Sequence, residues 1–337
     1  MSFHFYITKK LKMRFTLKNI KPILIVPGDP NSIFFEIFFK SIKKKKYKSP
    51  LILISSKKYL MEQIKTFKCK KKIRIIHTDE FSNERLNNKQ LNLIDIDSKS
   101  FTFNKSKKNT VQYMDKTLNM AIDLLKKNFA NKIINGPINK DNYLNKKFQG
   151  MTEYFANRTN SKKFAMVIFN KKLSVCPITT HLPLNLVSKQ ITKKIIYEKV
   201  FLINNFFKNY LGIKPRIGIT GLNPHCESIL KFNEDKKIVQ PSVIKLRKKG
   251  INIKGPFPAD TIFLDNNRKK FDVIVGMYHD QVLTPIKTLF GFDAINITIG
   301  LPFLRVTPDH GPNEKMLGKN KSSPLSLMNA LDFLDNK

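Results

Sequence analysis

Three of the six histidines in this 337-residue chain share one local setting. His181 follows an apolar run at 173–176, His225 one at 216–220 and His279 one at 273–275, each short enough to be a buried strand. The segments TTHLPL, GLNPH and MYHDQ put each imidazole just past a strand end, beside Pro, Asn or Asp. Neutral imidazoles converging at strand ends can hold a divalent metal and leave positions open for substrate. A lone histidine in such a place is more often structural, and spacing this long is not a local metal motif. The repeated context carries the metal reading; His4 and His77 lack it.

Lys287, Asn296 and Arg305 form a second set. Arginine grips a phosphate or carboxylate through two parallel hydrogen bonds, and lysine adds a point charge. In a lysine-rich chain any one of them alone reads as a surface group. Arg305 is the exception, because it follows the apolar Leu301-Pro302-Phe303-Leu304.

These groups need a scaffold. Apolar runs at 22–26, 51–54, 72–76 and 132–134 read as strands, with a helix at 57–67 and one at 111–129, where Met114, Leu118, Ala121, Ile122 and Leu125 repeat at helical spacing. Alternating strand and helix predicts a parallel sheet with helices on both faces. Further along, 91–96 is a candidate strand and 163–169 with 173–176 a strand pair. Helices are expected at 191–210, 239–248 and 324–334, and a loop at 255–261. Thr152 is placed to cap a helix that it opens. The chain turns polar near 140–150 and then restarts, which suggests a domain boundary.

The net charge of +37 raises the question of nucleic acid. The lysines are scattered along the chain, and the densest runs, 43–46 and 70–72, suit helix ends and loops. No helix-turn-helix, zinc-finger or RNA-binding signature accompanies them, so a basic nucleic-acid-binding protein is the weaker reading. Such a charge also attracts small anions. No apolar run approaches the ~20 residues that cross a bilayer. Three cysteines without paired spacing fit a reducing cytoplasm. The basic N-terminus lacks the apolar core and cleavage site of a secretory signal.

The motifs MYHDQVLTPIK, NITIGLPFLRVTPDHG, GLNPH, GPFPADTIF and TTHLPL together resemble the 4-hydroxythreonine-4-phosphate dehydrogenase family of pyridoxal phosphate synthesis, over most of the chain from Pro27 to about Pro324. The resemblance implies a two-domain α/β/α fold of the isocitrate/isopropylmalate dehydrogenase type, with the active site in the interdomain cleft. Residues 20–145 plus 300–337 would form the first domain, 146–299 the second, and 1–19 an N-terminal extension. It implies His181, His225 and His279 as metal ligands, with the site completed across a homodimer interface. Thr152, Lys287, Asn296 and Arg305 would bind substrate, and Asp309, His310 and Gly311 the NAD or NADP. The metal would be zinc, cobalt or magnesium, and Asp260 or Lys287 the proton relay.

The implied reaction is oxidation of 4-phosphohydroxy-L-threonine to 2-amino-3-oxo-4-phosphobutanoate, which decarboxylates to 3-amino-2-oxopropyl phosphate. The chain departs from the family at Met151-Thr152, where a His-Thr pair is usual. It departs again at GDPNSIFFE, where a glycine-rich entry is usual, and after NPH. A thioether does not replace an imidazole as a donor. A sister dehydrogenase acting on a phosphothreonate or phosphoerythronate is therefore the alternative.

Overall fold

Short apolar runs become twelve strands: β1 Ile23–Val26, β2 Leu51–Ser55, β3 Ile73–Ile75, β4 Leu91–Asp95, β5 Lys132–Asn135, β6 Ala165–Phe169, β7 Ser174–Pro177, β8 Ile217–Thr220, β9 Ile253–Phe257, β10 Val273–Gly276, β11 Ile295–Ile299 and β12 Leu304–Pro308. The computed structural model describes residues 20–78, 86–96, 107–144, 147–229 and 232–337; the expected extension at 1–19 lies outside them. All strands join one sheet in the order β3-β4-β2-β1-β5-β12-β11-β6-β7-β10-β8-β9. Every residue of β1, β2, β5, β7, β8 and β10 is buried, as befits strands covered on both faces.

The expected parallel pairing holds from β3 through β12 and again from β7 to β9. It fails in the middle, where β11 runs antiparallel to β12 and β6, and β6 antiparallel to β7. The reason is connection length. Only residues 300–303 join β11 to β12 and only 170–173 join β6 to β7, and a parallel return needs a crossover of a dozen residues or more. The sheet is thus two parallel halves of opposite direction, stitched by antiparallel strands.

The helix Phe34–Lys44 buries Phe34, Phe35, Phe38 and Phe39, each stabilising by about 2 kcal/mol. Glu36 in its first turn and Lys43 and Lys44 in its last suit the helix dipole. The helix expected at 191–210 is Lys193–Phe206, continued by a π-helical turn at Phe207–Leu211, and Thr192 caps it by accepting from Ile195 N at 3.2 Å; a separate short helix, Leu184–Gln190, precedes it. The loop expected at 255–261 is instead the end of β9 and the helix Ala259–Ile262. Pro256 is tolerated there because β9 is an edge strand. The helix Met151–Arg158 starts one residue before Thr152, with Gly150 at the cap position. The helix His279–Phe290 begins on the histidine itself. No helix among the described residues is long and apolar enough to cross a membrane.

Candidate active site

β7, β10 and β8 are adjacent and parallel, so the segments carrying His181, His279 and His225 leave the same end of the sheet. Two of the three meet: the rings of His181 and His279 lie 5.6 Å apart, centroid to centroid. His225 does not join them. It sits in the turn Pro224–Cys226 with φ of 54°, in the left-handed region, and is absent from the cavity that the other two line. The Asp235 carboxylate holds the approach to that turn by accepting from Leu222 N at 2.7 Å and Asn223 N at 3.0 Å. Asp260 belongs to the same neighbourhood. With burial and Asp235, it helps push the Cys226 thiol above its usual pKa. Among the described residues no group of three or more His, Cys, Asp or Glu forms a metal cluster.

Each of the two convergent imidazoles has a carboxylate behind it. His279 Nδ1 lies 2.6 Å from Asp280 Oδ1, and His181 Nδ1 3.6 Å from Glu153 Oε2. Glu153 Oε1 accepts from Thr180 Oγ1 at 2.7 Å. Burial opposes the Glu153 charge, but His181 and Thr180 outweigh it and hold the carboxyl at about 2. Lys140 Nζ stands 3.4 Å from His181 Nε2.

These imidazoles line a cavity of about 310 Å³ that also takes Thr152, Lys287, Asn296, Arg305, Asp309, His310 and Gly311 to its walls. Larger hollows exist, such as one of about 540 Å³ around Lys171 and Asp332, but none of the predicted groups converges there. Arg305 is 2% exposed and lies over the Phe155 ring. Its Nε donates to Asn135 Oδ1 at 2.7 Å and its Nη1 to Thr298 Oγ1 at 2.8 Å. Thr298 is its cross-strand partner, which explains the second contact. Thr152 spends its hydroxyl here rather than on a cap, 3.2 Å from Thr298 Oγ1 and 3.5 Å from Arg305 Nη1. Burial drives the Arg305 pKa down to about 9, with Glu153 pulling the other way, so it remains a cation at neutral pH. No carboxylate forms an ion pair with it among the described residues.

Lys287 Nζ pairs with Asp309 Oδ2 at 3.0 Å. Burial raises the Asp309 pKa, and Lys287 moderates the rise. His310 directs Nδ1 at Gly311 O, 2.9 Å away, and burial lowers its pKa. Asn296 Oδ1 is buried without a hydrogen-bond partner among the described residues. Met151, 7% exposed, contributes an apolar stretch of wall beside Thr152.

The donor chemistry fits a divalent ion. Each imidazole faces a carboxylate from its Nδ1 side, so Nε2 would be the atom offered to an ion. Among the described residues of one chain only these two imidazoles meet at the cavity. Asn135, Lys140, Glu153 and Thr298 join the site without having been singled out from the sequence. The Asn-Gly-Pro break after β5 was a signal for Asn135 and Lys140; Glu153 offered none beyond an acid near a helix start.

An α/β scaffold that gathers a buried arginine, a lysine and paired imidazoles around one small cavity belongs to the class of enzymes that handle small anionic metabolites. Sequence comparison narrows the class. The family model described as pyridoxal phosphate biosynthetic protein PdxA matches residues 46–334, and the chain belongs to that family. It is 39% identical over 323 residues to the 4-hydroxythreonine-4-phosphate dehydrogenase of a Sulfurihydrogenibium species, covering 92% of this chain and 96% of that one. It is 36% identical over 198 residues to the D-threonate 4-phosphate dehydrogenase of Pectobacterium atrosepticum, covering 58% of this chain and 61% of the relative. The crystal structure of 4-hydroxythreonine-4-phosphate dehydrogenase from Klebsiella pneumoniae superimposes with a TM-score of 0.77 at 27% identity, over 94% of this chain and all of that one.

Proposed function

We propose that this chain oxidises 4-phosphohydroxy-L-threonine with NAD or NADP to 2-amino-3-oxo-4-phosphobutanoate, which decarboxylates to 3-amino-2-oxopropyl phosphate, in pyridoxal 5′-phosphate synthesis. Family membership supports the reaction. The carrying structural observation is Arg305, a buried cation that no carboxylate among the described residues pairs with, beside two carboxylate-backed imidazoles. An unpaired buried charge costs several kcal/mol, and the substrate's phosphate or carboxylate offsets that cost.

His181 and His279 supply two ligands for zinc, cobalt or magnesium, and His225 of the partner subunit the third, which makes the working unit a homodimer. When bound, the metal supplies Lewis acidity toward a substrate hydroxyl, and the nicotinamide supplies a hydride acceptor. Arg305, Lys287, Asn296 and Thr152 hold the substrate's anionic and polar ends. Asn296 Oδ1, unpartnered among the described residues, accepts from a substrate donor. Lys287 is the proton relay that one chain brings to the cavity, whereas Asp260 lies in the neighbourhood of His225. Asp309, His310 and Gly311 line the same cavity and receive the dinucleotide.

We read the fold as isocitrate/isopropylmalate dehydrogenase-like, with 20–145 plus 300–337 as one domain and 146–299 as the other. The cavity would then be their cleft, since Asn135 and Arg305 come from the first span and His181, His279 and Lys287 from the second. The three cysteines are free, in keeping with a cytoplasmic setting. The partners are a small phosphorylated hydroxy amino acid and a second copy of the chain, without nucleic acid or membrane.

The test is NAD(P) reduction with 4-phosphohydroxy-L-threonine, with and without a chelator. We expect turnover that the chelator abolishes and added zinc, cobalt or magnesium restores; no turnover with any of the three metals overturns the reading. Met151 favours a second reading, a dehydrogenase of phosphothreonate or phosphoerythronate. A panel of these substrates on wild type and Met151→His decides between the two. Preference for a phosphorylated hydroxy acid in wild type, reversed in the variant, selects the second.

A further inference from the structure

We propose that Glu153 is a positioning residue that keeps the His181 proton on Nδ1 and so presents Nε2 as a lone-pair donor to the cavity, with Asp280 performing the same task for His279. The proposal rests on the metal-site reading above and goes beyond it by assigning residues that act through the two imidazoles.

Four observations converge on Glu153. First, His181 Nδ1 and Glu153 Oε2 are both buried, both lack a hydrogen-bond partner among the described residues, and face one another at 3.6 Å. A carboxylate only accepts, so a proton on Nδ1 and a closer approach of a few tenths of an ångström satisfy both atoms. Second, the other side of the ring agrees: Nε2 faces Lys140 Nζ at 3.4 Å. An ammonium only donates, so Nε2 must offer a lone pair and the proton must be on Nδ1. Third, the carboxylate is anchored independently, because Thr180 Oγ1 donates to Oε1 at 2.7 Å.

Fourth, the chain makes room for the pair. A Cβ on Gly150 would fall 2.7 Å from His181 Cε1 and 2.9 Å from Glu153 Oε2, so a side chain at 150 would force the pair to shift. At His279 the contact is direct, with Nδ1 2.6 Å from Asp280 Oδ1, but that carboxylate side chain is 80% exposed against 16% for Glu153. Water screens the exposed acid, so Glu153 has the larger influence. Carboxylates behind ligating imidazoles fix the tautomer, and their loss typically costs 10- to 100-fold in metal affinity.

Two measurements on the full-length chain test this. Long-range ¹⁵N–¹H correlation of metal-free wild type reads the His181 tautomer directly; Nδ1–H is expected, and Nε2–H overturns the proposal without any variant having to fold. Zinc affinity is then measured by competition with a chromophoric chelator. Glu153→Gln should bind zinc about 10- to 100-fold more weakly, and Asp280→Asn should lose less. Wild-type affinity in Glu153→Gln, with zinc binding lost in His181→Ala, overturns the positioning role and leaves the metal site standing. Wild-type affinity in His181→Ala itself removes the metal site and the proposal together.

Discussion

Arg305 is the residue on which the chemistry turns, because burial makes its charge expensive and its hydrogen-bond partners are neutral. Asn135, Thr298 and Thr152 orient the guanidinium without cancelling it. Arg305→Met should therefore lower kcat/KM by roughly 100-fold or more, the loss of one or two charge-assisted hydrogen bonds of about 1.5–3 kcal/mol each. It should leave the thermal midpoint of the free protein nearly unchanged, since replacing a buried unpaired charge by an apolar group is often neutral. Steady-state kinetics and thermal unfolding with and without substrate check this; an unchanged KM with intact substrate-induced stabilisation would contradict it. Arg305 was legible in the chain because an apolar run precedes it. Glu153 was not, because an acid in the first turn of a helix is ordinarily explained by the helix dipole.

Between strands β1 and β5 the site depends on a backbone-to-backbone fit. Gly136 N donates to Val26 O at 2.7 Å and Asp29 N to Pro137 O at 2.9 Å, locking the two strand ends together. A Cβ on Gly136 would come within 1.9 Å of Pro27 O, a backbone atom that has nowhere to go. Gly136→Ala should cost roughly 3 kcal/mol, the upper range for overpacking, and displace Asn135 from Arg305. A denaturant titration together with KM measures both, and a variant of wild-type stability would refute the fit. The Gly-Pro break after β5 was visible in sequence, and the strand and helix types were mostly right. The sites of error share a cause. β9 was taken for a loop because Gly and Pro interrupt it, whereas pairing with β8 overrides local propensity. The strand pair at 163–169 and 173–176 is legible in the sequence and forms, whereas β11 and β12 are not, and their antiparallel place at the centre of the sheet depends on pairing with β6 and β5.

Across the whole molecule the question is which chain completes the site. His181 and His279 share a cavity that His225 does not line, so in the proposed homodimer a copy lacking His225 would be complemented by one lacking His279. Mixing His225→Ala and His279→Ala subunits under refolding conditions should restore about a quarter of wild-type activity, since half the random dimers carry one intact site of two. Each variant alone should be inactive. No recovery on mixing would place all the ligands in one chain. The charge of +37 belongs to this scale as well. It is carried by dispersed lysines, many at helix ends and in loops such as 43–46 and 70–72, and among the described residues only Lys140, Lys287 and Arg305 bring Lys or Arg cations to the cavity. By itself the sequence determined the chemical inventory: three imidazoles past strand ends, an arginine after an apolar run, and an alternation that predicts an α/β sheet. Side-chain type and local period are written in neighbouring residues. Only the tertiary structure decided that His225 stands apart, that Thr152 serves Arg305 instead of a helix cap, and that Glu153 lies behind His181. Those outcomes depend on contacts between residues far apart in the chain, such as Thr152 with Thr298, which no local spacing encodes.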